Sequence, residues 1–147
     1  MTKRIAYILL TAGAFGLLLS SASAQKWSEE EIAAGVKTTE LTRHVLAGKK
    51  WPLQFILALN PDCSVVDGYE IKITKQPEHG TAELVPADRF PSYAKDNPRF
   101  RCNEKRMHGL DLIYKASDGY KGMDEFEVVQ LSYNGMAWEY HYKINVR

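Results

Sequence analysis

Hydrophobic and polar residues alternate along several short segments of this chain, which is the pattern of β-strands with one buried face. In the last segment, positions 138, 140, 142, 144 and 146 are aromatic or aliphatic and the positions between them are polar. Asn134 and Gly135 separate this segment from residues 126–133, which are partly apolar on both faces, and that dipeptide favours the type I′ turn of a hairpin. The C-terminal region is therefore predicted to be two antiparallel strands joined by a tight turn.

Further strands are predicted at 51–59, 69–74, 81–85 and 110–114. Residues 38–47 fit a first strand, although their apolar positions also fit the spacing of a helix. Three prolines interrupt the periodicity between Pro86 and Gly109, so this 24-residue segment is predicted to be a long irregular loop. About seven short strands separated by turns predict an all-β, immunoglobulin-like antiparallel β-sandwich.

The N-terminal residues have the pattern of an export signal. Lys3 and Arg4 precede an uncharged apolar run at 5–19, and Ala22-Ser-Ala24 has the small-x-small pattern of a cleavage site. We expect a signal peptide at 1–24, a flexible N-terminal arm at 25–37 and a sandwich domain at 38–147. An uncleaved N-terminal anchor is the alternative. The expected location is periplasmic or secreted, with no membrane span after cleavage.

The charge balance argues against one class of partner. The chain has 19 basic and 18 acidic side chains, and Lys3 and Arg4 would leave with the signal peptide. A nearly neutral mature protein is not expected to bind nucleic acid, which requires a basic surface. We expect a monomer.

Cys63 and Cys102 are the two cysteines of the chain. In an exported protein, such a pair is typical of a disulfide, which here would close a loop of 38 residues. A metal site or a catalytic thiol is the alternative, but the chain has no CxxC motif, and a nucleophile needs a base that the sequence does not place.

Two motifs resemble parts of known domains. The segments Pro77-Glu-His-Gly80-Thr81 and Tyr114…Gly119-Tyr-Lys-Gly122-Met-Asp124-Glu-Phe126 resemble bacterial Ig-like and cadherin-like domains. The similarity covers residues 69–147, with Ala116 in place of the usual proline and Tyr120 in place of phenylalanine. It implies that this chain has an Ig-like fold. It also implies that the chain is a small, single-domain exported relative of those domains, of a kind found in proteobacteria. It assigns no activity, because many sandwiches share the fold without the function.

The glycine-rich corner formed by Gly119, Gly122 and Asp124 has two interpretations. In one, Asp118 and Asp124 supply oxygen ligands to calcium, which usually requires a denser carboxylate cluster. In the other, the glycines adopt positive φ and Asp124 accepts hydrogen bonds from backbone N–H groups. We favour the structural corner.

No motif predicts an enzyme, a cofactor or a metal site. The sequence has neither G-x-S-x-G nor H-E-x-x-H. Its four histidines lie at least 29 residues apart, so a zinc or copper site would have to be assembled by the fold. They are His44, His79, His108 and His141.

The segment 86–109 is the candidate binding site, because it interleaves basic and aromatic residues. That composition is common in protein interfaces. The candidate residues are Arg89, Phe90, Tyr93, Arg99, Phe100, Arg101 and Arg106. The alternative is a loop whose aromatic side chains only cover the open end of the sandwich.

The sequence thus predicts a non-enzymatic exported module that contacts a protein or an envelope polysaccharide through this loop. A structural or accessory envelope domain without a dedicated ligand is one alternative. An inhibitor of a secreted or periplasmic enzyme is another, and it would require a protruding, ordered loop.

Overall fold

The computed structural model describes residues 35–132 and 134–147. The predicted signal peptide and most of the predicted arm lie outside these residues. The described chain forms seven strands and a short 3₁₀ helix between β4 and β5. The strands are β1 (Val36–Val45), β2 (Lys50–Ile56), β3 (Glu70–Lys75), β4 (Gly80–Arg89), β5 (Met107–Ala116), β6 (Gly122–Leu131) and β7 (Ala137–Val146), and the 3₁₀ helix is Phe100–Glu104.

The strands form two sheets. One has the order β1-β7-β6-β3 and the other has the order β2-β5-β4. All strand pairs are antiparallel except β1 and β7, which run parallel from Val36 beside Ala137 to Val45 beside Val146. The predicted fold class, an all-β sandwich of about seven strands, is confirmed. Among the described residues, no helix is long and apolar enough to cross a membrane.

The core lies between the sheets and is built from the buried positions of the alternating strands. Leu112 and Tyr114 from β5 meet Phe126 from β6 and Tyr142 from β7, and all four are almost completely buried. The Phe126 ring stacks on Tyr142 with centroids 4.7 Å apart and lies parallel to Tyr114 at 6.0 Å. Burial of large rings is the main favourable contribution to the folding free energy of such a core.

Several predicted boundaries shift. β1 begins at Val36, two residues before the expected start of the domain. β4 continues through Pro86 to Arg89, and β5 begins at Met107. The predicted loop at 86–109 is thus wrong at both ends, and the connection is only 90–106. Pro86 lies in an edge strand, where the N–H groups of alternate residues face away from the sheet and proline is tolerated.

The two ends of the sandwich differ in content. One end, called here the motif end, carries the β3–β4 turn at 76–79 and the β5–β6 corner at 117–121, which contain parts of the two sequence motifs. The other end, called here the disulfide end, carries the β2–β3 connection at 57–69 and the β4–β5 loop at 90–106. The candidate site residues divide between these ends.

Candidate functional site

At the motif end, the Asp124 carboxylate is buried and receives four hydrogen bonds. The Tyr114 hydroxyl donates to Oδ2 at 2.7 Å, and the backbone N–H of His79 donates to the same oxygen at 3.2 Å. Oδ1 accepts from the backbone N–H groups of Glu78 at 3.1 Å and Glu125 at 3.0 Å. A single side chain on β6 therefore joins the β3–β4 turn to β5.

The same contacts bring the two sequence motifs together. The His79 ring stacks on the Tyr120 ring with centroids 4.1 Å apart, and the Ser117 N–H donates to the His79 carbonyl. Gly119 and Gly122 have φ of 76° and 139°, conformations that favour glycine. Asp118 instead points toward Lys115 at 3.9 Å and its side chain is 87% exposed. This geometry is that of a corner held by hydrogen bonds to one carboxylate, and it favours the structural interpretation over a calcium site.

At the disulfide end, Cys63 and Cys102 form the predicted disulfide, with their Cα atoms 5.5 Å apart. The bond joins the β2–β3 connection to the 3₁₀ helix. Cys102 is completely buried, so its side of the 3₁₀ helix faces the protein interior and anchors the loop there. A disulfide is typical of chains that fold in an oxidising compartment.

Three of the candidate arginines hold the loop by donating to backbone carbonyl groups. Arg99 Nε donates to the Leu59 carbonyl, and Arg101 Nε donates to the Pro61 carbonyl at 2.9 Å. Arg106 donates to the Asp88 carbonyl at 2.6 Å and lies over the Phe90 ring, 5.8 Å from its centroid. These bonds order the loop without neutralising its positive charge.

No described carboxylate forms an ion pair with Arg99, Arg101 or Arg106. Hydrogen bonds from Ser64 are the main reason that the pKa of Asp62 is lowered. The positive charge of Arg101 lowers that pKa as well, by a smaller amount. This end of the described chain therefore combines an ordered loop with three guanidinium groups that form no ion pair with a described carboxylate.

Arg89 belongs to a different environment. It lies in β4 and pairs in a bidentate manner with Asp111 on β5, with Nε–Oδ1 at 2.7 Å and Nη2–Oδ2 at 2.6 Å. The Asp111 side chain is only 6% exposed, so the guanidinium compensates a buried charge. The structure thus places Arg89 in the sheet rather than in the loop, and assigns it a structural contact.

The three candidate aromatic residues differ in exposure. Phe90 and Phe100 are 57% and 42% exposed. Tyr93 is half-buried, and its backbone exchanges two hydrogen bonds with the Asn103 amide. Burial raises the pKa of Tyr93. The aromatics of the loop therefore do not all turn inward to cover the core.

Three adjoining open hollows lie at the disulfide end. One of about 300 Å³ lies beside Phe90 and Tyr93, and one of about 330 Å³ lies between Tyr93 and Tyr69. A third of about 150 Å³ continues past Tyr69 to Val65, a residue that is 57% exposed. The disulfide-end surface, defined here as residues 57–69 and 90–106, is thus largely apolar between its arginines.

The sequence did not identify the residues that position this surface. Leu59 and Pro61 act through backbone carbonyls, which leave no signal in side-chain chemistry. Asp111 does have a recognisable signal in the sequence, because it is a lone charge among the apolar residues of 110–114. Such a charge at a buried strand position indicates that a partner is needed.

Comparison with known proteins provides no family for this chain. No protein-family profile and no curated protein matches it. Among solved structures, it is similar to the solution structure of Amebosin, with 13% identity, a TM-score of 0.36, and coverage of 76% of this chain and 97% of that one. A likeness at that level carries no conclusion about this protein.

Proposed function

We propose that this protein is an exported, non-enzymatic immunoglobulin-like module that binds a partner protein through the disulfide-end surface. The observation that carries the proposal is the exposure of Phe90 and Phe100 on a loop that a disulfide and arginine hydrogen bonds hold in place. An ordered loop loses little conformational entropy on binding. Aromatic and arginine side chains are also the residues most enriched at the centres of protein interfaces.

Five basic and four acidic residues lie in 57–69 and 90–106, so the three arginines, and not a large net charge, favour a particular kind of partner. Arg99, Arg101 and Arg106 donate to carbonyl groups, so an approaching surface meets their positive field. A protein with acidic residues around an apolar patch would complement both properties. The hollows between Phe90 and Val65 are lined mainly by apolar side chains, which favours apolar protein side chains over the hydroxyl groups of a polysaccharide.

Export is supported by the disulfide, by the signal-like pattern at 1–24 and by the similarity to exported Ig-like domains. The non-enzymatic character is supported by the missing hydrolase motifs. The arginine contacts fold the loop back onto residues 59–61, which favours a flat platform over the protruding wedge of an inhibitor.

The proposal is tested with variants that remove exposed groups and leave the hydrogen bonds from the arginines to backbone carbonyl groups intact. The double variant Phe90→Ser/Phe100→Ser removes the apolar contacts, and Lys95→Glu/Lys105→Glu reverses two exposed charges of the loop. Met123→Ser is the matched control, because Met123 is 54% exposed at the motif end. Partners captured from envelope extract are identified, purified and re-bound to each variant.

We expect the aromatic variant to weaken binding by about tenfold or more, and the charge-reversal variant to weaken it mainly at low salt. Met123→Ser should bind as the wild type does. Equal binding by all variants would overturn the proposal and favour an accessory domain without a ligand. Capture that survives protease digestion of the extract would overturn a protein partner in favour of a polymer, and a dimer sensitive to Phe90→Ser/Phe100→Ser would identify a second copy as the occupant.

A further inference from the structure

We propose that Glu127, Glu139 and His141 form a binding site for one divalent transition-metal ion of the zinc class, on the outer face of the four-stranded sheet. This inference is independent of the proposed function and concerns another part of the molecule. It rests on the register of β6 and β7, which brings together three side chains that are not grouped in sequence. Glu139 and His141 are two residues apart on β7, and Glu127 on β6 is the register partner of His141.

The geometry of the three side chains suits a metal ion. One potential ligand atom from each residue lies within 4.8 Å of those of the other two. Two ligands of a tetrahedral zinc ion lie about 3.4 Å apart, given metal–ligand bonds of about 2.0–2.1 Å. The side chains are 29–36% exposed, so small rotations of the two carboxylates can bring the oxygens to that separation.

An independent observation is that His141 Nε2 lacks a hydrogen-bond partner. The atom is inaccessible to solvent and makes no hydrogen bond with any described residue, although Glu139 Oε2 is 3.5 Å away. A solvent-inaccessible nitrogen without a hydrogen bond is costly, and coordination of a cation would satisfy the lone pair of the neutral imidazole. A neutral imidazole nitrogen with two carboxylate oxygens is a ligand set for zinc-like ions, whereas calcium and magnesium prefer oxygen ligands alone.

The surrounding charges leave the site available. Lys75 Nζ is 3.8 Å from Glu127 but is closer to Glu125, at 2.7 Å. Lys143, the next outward residue of β7, pairs with Glu40 of β1 at 2.9 Å. Among the described residues, Glu139 forms its ion pair with His141. Lys75 contacts Glu127 and forms no ion pair with Glu139, so a divalent ion would compensate the remaining negative charge of the two carboxylates. Water would complete the coordination.

The test uses the purified full chain, stripped with a chelator and titrated calorimetrically with zinc chloride, and in parallel with calcium chloride. We expect one zinc ion per chain, a higher melting temperature in zinc, and no such effect of calcium. His141→Gln and, as a second variant, Glu139→Gln should each weaken zinc binding by about tenfold or more.

His108→Gln is the matched control. His108 lies 3.0 Å from Asp88 on the other sheet, so it offers a two-residue pair in place of a three-residue set. This control should bind zinc within about twofold of the wild type. The proposal is overturned if no saturable binding occurs up to about 1 mM zinc, or if His141→Gln binds as tightly as the wild type. Circular dichroism of each variant establishes that lost binding is not lost folding.

Discussion

Tyr114 donates its hydroxyl hydrogen to Asp124 over 2.7 Å, at a point where both residues are buried. Asp124 also accepts the backbone N–H groups of Glu78 and His79, so one carboxylate connects β5, β6 and the β3–β4 turn. Two motifs about 30 residues apart in sequence thus form one structural unit. We expect their residues to stabilise the folded state.

The Tyr114 hydroxyl should contribute measurably to stability. Tyr114→Phe removes a hydrogen bond to a buried carboxylate, and we expect a loss of about 1.5–3 kcal/mol in the free energy of unfolding. Tyr120→Phe is the control, because its hydroxyl donates to the Met123 carbonyl at a solvent-exposed position, and it should cost less than about 1 kcal/mol. Urea denaturation at neutral pH measures both, and equal losses would contradict the role assigned to Asp124.

Gly80 should be intolerant of a side chain because of close packing. A Cβ atom there would lie 2.5 Å from the Lys115 carbonyl oxygen and 2.9 Å from the Tyr114 ring. We expect Gly80→Ala to destabilise the protein by about 1–3 kcal/mol, because β4 would have to move away from β5. Thr81→Ala, at the next and exposed position, should stay within about 0.5 kcal/mol of the wild type. Thermal unfolding of the two variants makes the comparison.

The disulfide should stabilise the fold by restricting the unfolded chain. Cys63 and Cys102 are 39 residues apart, for which the chain-entropy relation gives about 4 kcal/mol. Reduction with dithiothreitol should lower the urea midpoint by a corresponding amount. The double variant Cys63→Ala/Cys102→Ala should be destabilised to a similar extent and should not respond to dithiothreitol. An unchanged midpoint after complete reduction would contradict this expectation.

Stability should decrease at alkaline pH. Burial raises the pKa of Tyr142 from 10.0 to about 12, and burial also raises the pKa of Tyr69 and Tyr114. The folded state therefore keeps the phenolic protons that the unfolded state releases above about pH 10. The stability linked to these groups is fully present below pH 10 and is lost as the pH rises through 12.

Denaturant midpoints between pH 8 and pH 11.5 test this prediction, and this range brackets the ordinary tyrosine pKa of about 10. Phenolate absorbance is recorded in parallel. Tyr142→Phe should show a shallower decrease, although it also loses the hydrogen bond to Gln54. A midpoint that does not change across this range would contradict it.

The strand predictions succeeded where alternation was regular and failed at Pro86. β7 and the 110–114 half of β5 follow directly from the period of two, whereas β6 was predicted from a segment that is partly apolar on both faces. The segment at 86–89 was predicted to be irregular because Pro86 cannot donate a hydrogen bond, yet it is a strand. Whether a proline is tolerated depends on whether its strand lies at a sheet edge, and strand order is not a local property.

The candidate site was predictable in composition but not in contacts. Arg89 and Arg99 look equivalent in sequence, yet one neutralises Asp111 within the sheet and the other holds the Leu59 carbonyl. The possible ligands Glu139 and His141 could be paired from their spacing on one strand. Glu127 joins them only through the register between β6 and β7.

The sequence alone thus determined the strand-rich fold, the cysteine pair and the positions of the turns, because these depend on local periodicity, composition and backbone preference. The tertiary structure decided which charges are compensated, which aromatic side chains stay exposed and which distant carboxylates and imidazoles meet. Those properties depend on strand order and register, which are set by packing between residues far apart in the chain.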